Sequence, residues 1–281
     1  MQHHAHAPVP AWHQTPRRGL VNTSNLRMEI CEQNEAFIVE DGDLKFSHTK
    51  IICKVGNQYF YAVTDRRYRL IADIDPVALT RILIPAPHIW PLFPIGFTQA
   101  PDPLPHNCHI KRPALIHYGD TEASTNIGCL LSNEAEVCEI LRKSPHPNIA
   151  HYYGCIVHDG RITGLCFARY GDSLLERVDR NLQHLDADLC LKEIQSGVSH
   201  LHSLGLIHYD INPMNVVMDG DTPVIVDFDS CRREGEQLGF KAGTRGWTNE
   251  NFTVARREND QYGLSMIRDF LSQRKKASGQ L

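Results

Sequence analysis

Seven prolines fall between Pro85 and Pro105, and no regular element can run through that stretch. Each proline removes a backbone donor and fixes φ near about −65°, so neither a helix nor a central strand survives such a density. The stretch is expected to be an extended, surface-hugging connection. It separates two blocks of different character. Upstream, Ile51-Ile52-Cys53-Lys54-Val55 and Tyr59-Phe60-Tyr61-Ala62-Val63 flank Gly56-Asn57-Gln58 and read as two strands around a turn, so 29–84 looks like small β structure. Downstream, the spacing predicts a strand from Cys108 into Lys111 and a helix over Asn133–Lys143. Short strands follow at Ile149–Tyr153 and Gly164–Phe167, then a second helix within Asp186–Leu204, whose Leu191, Ile194, Val198 and Leu201 share one stripe. Two short strands, Asn215–Met218 and Val224–Asp227, flank the turn Asp219-Gly220-Asp221.

Composition narrows the class. The formal net charge is −4, with 22% charged and 42% hydrophobic residues. That balance lacks the basic excess of a nucleic-acid binder, and no apolar run is long enough to span a bilayer. Residues 1–28 hold no acid, four histidines, three prolines and three arginines, which predicts a disordered tail. The nine cysteines form no Cys-x-x-Cys and no secretory h-region precedes them, so reduced thiols in the cytoplasm or nucleus are expected. His106-Asn107-Cys108-His109 reads as a polar loop entering a strand rather than a metal cluster. No oligomerisation signal is evident.

The chemistry concentrates in His208-Tyr209-Asp210-Ile211-Asn212-Pro213-Met214-Asn215, followed twelve residues later by Asp227-Phe228-Asp229. A tight loop after a buried helix presents Asp210 and Asn215, and a hairpin returns Asp227 beside them. Two carboxylates and an amide converging on one spot suit Mg²⁺, which takes one or two protein oxygens and completes its octahedron with phosphate and water.

These stretches resemble the catalytic loop H-R-D-L-x-x-x-N and the D-F-G motif of the protein kinase superfamily. Gly243-Thr244-Arg245-Gly246-Trp247 resembles the close of the activation segment, and Asp260-Gln261-Tyr262-Gly263-Leu264-Ser265 the start of the long central helix. Glu136, ten residues before His146-Pro147-Asn148-Ile149, resembles the C-helix glutamate, and Lys111 is the match for the third-strand lysine. The whole is similar to a divergent group of short kinase-like proteins of filamentous fungi. The resemblance implies an α+β, two-lobed kinase-like fold with a β-rich N-lobe and a mainly helical, truncated C-lobe. It divides the chain into the tail (1–28), a β-rich and Pro-rich extension (29–105), an N-lobe (106–170) and a minimal C-lobe (171–281). It also implies ATP and Mg²⁺ as cofactors and a protein substrate. By the same resemblance Asp210 orients the attacking hydroxyl, and Asn215 and Asp227 hold the metal. Lys111 meets the phosphates with Glu136 as its partner, Thr244 bonds near Asp210, and Phe167, Ala168, Tyr170 and Asp172 border the adenine site.

Four departures leave the function open. No G-x-G-x-x-G precedes Lys111; Asn212 stands where a lysine is usual; Asp229 replaces the glycine after Asp-Phe; and only 21 residues follow Asp260. An active Ser/Thr protein kinase, a pseudokinase binding module and a small-molecule phosphotransferase of the choline or aminoglycoside kinase kind all fit. Tyr209, in place of the arginine that meets an activation-segment phosphate, predicts activity independent of loop phosphorylation.

Overall fold

The structure, a computed structural model, describes residues 28–121, 123–181, 185–238, 243–249 and 251–278. The expected disordered tail therefore lies almost wholly outside the described residues. The first block forms a four-stranded antiparallel sheet in the order β1-β2-β3-β4, comprising β1 (Met28–Glu40), β2 (Asp43–Val55), β3 (Gln58–Thr64) and β4 (Ile82–Ile84). Asp41 and Gly42 take φ of 56° and 87°, the left-handed pair that a two-residue hairpin turn requires between β1 and β2. Gly56 supplies the positive φ for the next turn, so the expected hairpin around it forms.

The second sheet has three strands in the order β5-β7-β6: β5 (Cys108–Lys111), β7 (Arg161–Ala168) and β6 (Tyr152–His158). Behind it runs α2 (Gly128–Lys143), preceded by the single turn α1 (Ala86–Ile89). α2 starts five residues before the sequence suggests. Asn133, where the sequence places the start, sits inside the helix and uses its amide to bond the carbonyls of Asp229 and Cys231 (3.4 and 3.1 Å). The rest is mostly helical: α3 (Leu174–Asn181), α4 (Ala187–Ser203) and α5 (Arg257–Ser278), with the short pairs β8 (Leu206–Ile207)/β11 (Arg232–Arg233) and β9 (Val216–Asp219)/β10 (Thr222–Ile225). Asp186 caps α4 by accepting from the Leu189 amide (3.0 Å), and the α4 stripe Ile194, Val198 and Leu201 is buried. The fold class is α+β, as the sequence predicts.

The proline-rich stretch departs from the expectation in one place, because its first residues form the helical turn α1, where a proline near the helix start gives up no needed donor; nor does the rest merely hug the surface. Its apolar side chains Trp90, Phe93 and Phe97 pack against the main core. Its backbone completes the edges of the second sheet: Cys155 N donates to Thr98 O (2.7 Å), Ala100 N to Cys155 O (2.8 Å), and Ile162 N to Pro91 O (2.9 Å). Prolines that lack a donor still present carbonyls, and Pro91 uses its own. At Gly154 the two backbones approach so closely that a Cβ there would lie 2.6 Å from Ala100 N, and its φ is +141°. Only glycine fits. Replacing it, Gly154→Ala, is expected to lower stability by about 2–3 kcal/mol through steric overlap and backbone strain. Urea unfolding of the two proteins measures it, with the midpoint falling and the slope unchanged.

Candidate active site

Three segments bring charge to one point. β5 ends with Lys111, whose ammonium lies 2.8 Å from Glu134 of α2, 2.6 Å from Asp227 and 3.4 Å from Asp229. Glu134 is 2% exposed at its side chain and also accepts from the Phe228 amide (3.1 Å), tying α2 to the loop after β10. Burial pushes the Glu134 carboxyl up to about 7, Asp227 and Asp229 push the same way, and Lys111 opposes them. Burial by itself would lower Lys111, but the field of three carboxylates outweighs it and holds the ammonium charged.

The glutamate at Lys111 is thus Glu134, which corrects the expectation for Glu136. Two residues along a helix is a rotation of about 200°, so one of the pair faces inward and the other out. Glu136 has a side chain 62% exposed and stands 3.6 Å from Arg233. The signal was present in the sequence: Leu131, Glu134, Ala135, Cys138 and Leu141 share one helical face, and all are buried.

The loop from His208 to Asn215 is fixed at its start by Asp260 of α5. Its carboxylate is fully buried and accepts from the amides of His208 (3.0 Å) and Tyr209 (2.7 Å) and from His202 Nε2 (2.8 Å). Tyr209 and Asp227 hold φ of 67° and 66°. Non-glycine residues persist in that region only where their surroundings over-determine them. His208 Nδ1 accepts from Asp210 N (3.3 Å) and its Nε2 meets Val226 O (3.0 Å), which sets the neutral Nε2–H tautomer. The ring stands edge-on to Phe228, with centroids 5.5 Å apart.

Asp210 is buried and does not line the cleft beside Lys111, and its carboxylate is fully engaged. Oδ1 accepts from Asn212 Nδ2 (2.9 Å) and Thr244 N (2.8 Å), and Oδ2 from Asn215 Nδ2 (3.0 Å) and Thr244 Oγ1 (3.1 Å). Thr244 therefore stands where the sequence expects it. Asn215 spends its amide nitrogen on Asp210, and its Oδ1 makes no hydrogen bond among the described residues. It lines the same cleft as Asp227, so the pair offers two hard oxygens suited to Mg²⁺. Asp229 adds a third carboxylate position: ligand oxygens of Glu134, Asp227 and Asp229 lie within 4.8 Å of one another.

A cleft of about 440 Å³ opens beside Lys111, between β5, β7 and the loop before β9. That is within the range of small-molecule and cofactor sites. Phe167, Ala168 and Tyr170 line it, together with Ala150, Val217 and Val226, which sequence reasoning missed because their apolar character marks them only as core. Asp172 does not line it. Its carboxylate pairs with Arg180 (2.5 Å) and its carbonyl accepts from Met218 N (2.9 Å), so the chain has turned away from the cleft there.

The charge balance yields a test. In Lys111→Met, three buried or half-buried carboxylates lose their common cation, a defect of about 3–5 kcal/mol for a broken buried pair. The folded-state pKa of Glu134 is already above its unfolded value and rises further in the variant. The stability tied to its protonation is fully present below about 4.5 and is lost as pH climbs through the folded pKa. Urea unfolding at pH 5.5 and pH 8 should give a variant deficit that grows with pH; a deficit equal at both contradicts the charge argument.

Residues 122–262, half of the chain, match the family model described as protein kinase domain. Among curated proteins, the chain is 33% identical over 122 residues to the serine/threonine-protein kinase SSK22 of Saccharomyces cerevisiae, covering 42% of this chain and 9% of that protein. It is 31% identical over 130 residues to the serine/threonine-protein kinase/endoribonuclease IRE1 of Hypocrea jecorina, covering 39% of this chain and 10% of that protein. The MAP kinase kinase kinase SSK2 of Saccharomyces cerevisiae matches at 29% over 123 residues, covering 42% of this chain and 8% of that protein. The chain thus spans about a tenth of the length of these relatives. With a lysine–glutamate pair, an Asp-Phe-Asp loop and a buried aspartate under the catalytic-loop backbone, the chain belongs to the protein kinase family.

Proposed function

We propose that the protein is an ATP- and Mg²⁺-dependent phosphotransferase acting on serine or threonine hydroxyls of a protein. One observation carries the reading: Lys111 stands between Glu134 and Asp227 in the lining of a cleft that Asn215 lines as well. Ala150, Val217, Val226 and Phe167 provide apolar walls for a purine ring. Lys111 draws the phosphates toward Asp227. Asn215 Oδ1 and an Asp227 oxygen hold the metal, which neutralises charge on the transferring group when bound. Asp210 orients the acceptor hydroxyl. Its oxygens already accept four hydrogen bonds, so taking a proton requires one donor to yield. The names of the relatives support serine/threonine specificity and a protein acceptor; the protein kinase match weighs against a small-molecule acceptor. Nine free cysteines support a reducing compartment, cytoplasm or nucleus, and no described helix is long and apolar enough to cross a membrane.

A pseudokinase is the second reading. It is favoured by the saturated Asp210 carboxylate and by Asn212, which brings no cation where the family usually carries one. Asp210→Asn decides between them. It keeps the shape of the loop but removes the proton acceptor, so turnover should fall by about 10²-fold or more while the affinity for Mg²⁺–ATP holds. Radiolabelled phosphate transfer to a mixed protein substrate reads the first, calorimetry the second. Wild-type transfer no higher than that of the variant establishes the pseudokinase.

Phosphorylation of the segment 228–250 should not matter. Tyr209 offers no charge to a phosphate. Its ring instead reaches the backbone of Gly243, while Asn133 and Arg232 fasten the start of the segment through the carbonyls of Asp229 and Cys231. Activity measured after phosphatase treatment is expected to be unchanged; a several-fold loss restored by rephosphorylation within 228–250 refutes the assignment.

A further inference from the structure

Residues 28–105 fall outside the stretch matched by the family model and supply no lining residue to the cleft, yet they grip α2 at both ends. At its start, Ile127 packs with Ile52 and Ile84 of the first sheet, Ile89 of α1, and Leu115 and Tyr118 of the connection from β5. α1 crosses so near that a Cβ on Gly128 would lie 3.3 Å from Ile89 O. The connection is pinned by polar contacts as well. Lys50, only 7% exposed, donates to Tyr118 O (2.5 Å) and pairs with Asp120, and Glu32 accepts from Leu115 N (3.0 Å).

Further along the helix, the buried carboxylate of Glu139 accepts from both Thr98 N (2.7 Å) and Thr98 Oγ1 (3.0 Å) of the proline-rich stretch. Thr98 is itself locked to β6 through Cys155. Glu134 lies between these two anchorages, on the face turned to Lys111. A helix held at both ends cannot swing its middle away from the cleft. The free energy for this comes from a buried lysine, a doubly bonded carboxylate and an apolar cluster.

We propose that residues 28–105 are a built-in positioning element that holds α2 where Glu134 meets Lys111, with Lys50 and Thr98 as its two fastening points. The proposal rests on the phosphotransferase reading only for its functional consequence. Its structural half is that α2 loses its seat when either fastening is cut. The element thus stands in for the ordering that an activation-segment phosphate or a separate protein would otherwise supply.

The full 281-residue chain tests it as Lys50→Met, with Lys50→Arg as the conservative rescue and Thr98→Ala as the second, milder cut. Hydrogen exchange of amides 131–141 reads the seat of α2, exchange in α4 controls for general unfolding, and calorimetry compares Mg²⁺–ATP with adenosine, which has no phosphates to meet Lys111. Expected for Lys50→Met is faster exchange in α2 with α4 unchanged, Mg²⁺–ATP affinity down about tenfold and adenosine affinity within about twofold. Lys50→Arg should restore both. Wild-type exchange in α2 for both Lys50→Met and Thr98→Ala overturns the proposal. If Lys50→Met loosens α4 too, Thr98→Ala decides by the same two readings. Failure of the wild-type protein to bind either nucleotide or nucleoside refutes the phosphotransferase reading instead, while α2 exchange still judges the positioning element.

Discussion

The site depends on one ammonium among three carboxylates. The Lys111 ammonium lies within 4 Å of Glu134, Asp227 and Asp229, and these partners arrive from two distant parts of the chain. Glu134 comes from α2, whereas Asp227 and Asp229 flank the buried Phe228 after β10. Burying such a cluster is costly, and the attraction offsets that cost only while the geometry holds. The pair is therefore better understood as a device for register than as a source of stability. It fixes the distance between sheet, helix and loop that the cleft requires.

Everything around the cluster resists its loosening. Asp260 holds the catalytic-loop backbone from beneath, and Glu134 bonds the Phe228 amide from above. The left-handed φ of Tyr209 and Asp227 is maintained between them. Asn133 and Arg232 tie the following segment through backbone carbonyls rather than through a phosphate. The proline-rich stretch then closes the sheet edges and takes hold of Glu139. A stretch that forms only one helical turn of its own thus becomes a seam along the second sheet and α2.

Much of the site was legible because short-range chemistry dictates it. Asp210, Asn212 and Asn215 lie within six residues, and one tight loop must present them together. Thr244 was legible through its motif, and the Gly56 turn through its backbone freedom. Glu136 was misread because its distance from His146-Pro147-Asn148-Ile149 was counted without asking which helical face it occupied. Asp172 was misread because a linear stretch after Phe167 was assumed to follow the cleft, whereas the chain bends toward Met218 and Arg180. Ala150, Val217 and Val226 carried no signal, since an apolar wall and an apolar core have the same composition.

By itself, then, the amino-acid sequence determined the local facts: which loop carries the carboxylates, where the turns around Gly56 and Gly220 fall, and which family the motifs resemble. Those follow from φ restrictions, donor counts and periodicity, all of which act over a few residues. Only the tertiary structure decided which glutamate meets Lys111, that Asp229 joins the cluster, and that residues 28–105 contact Glu139 of α2 and the connection leading into it. These are contacts between segments far apart in the chain, Lys111 to Asp229 being 118 residues and Lys50 to Asp120 being 70. Their partners are chosen by how the sheets and α2 pack, which no local pattern records.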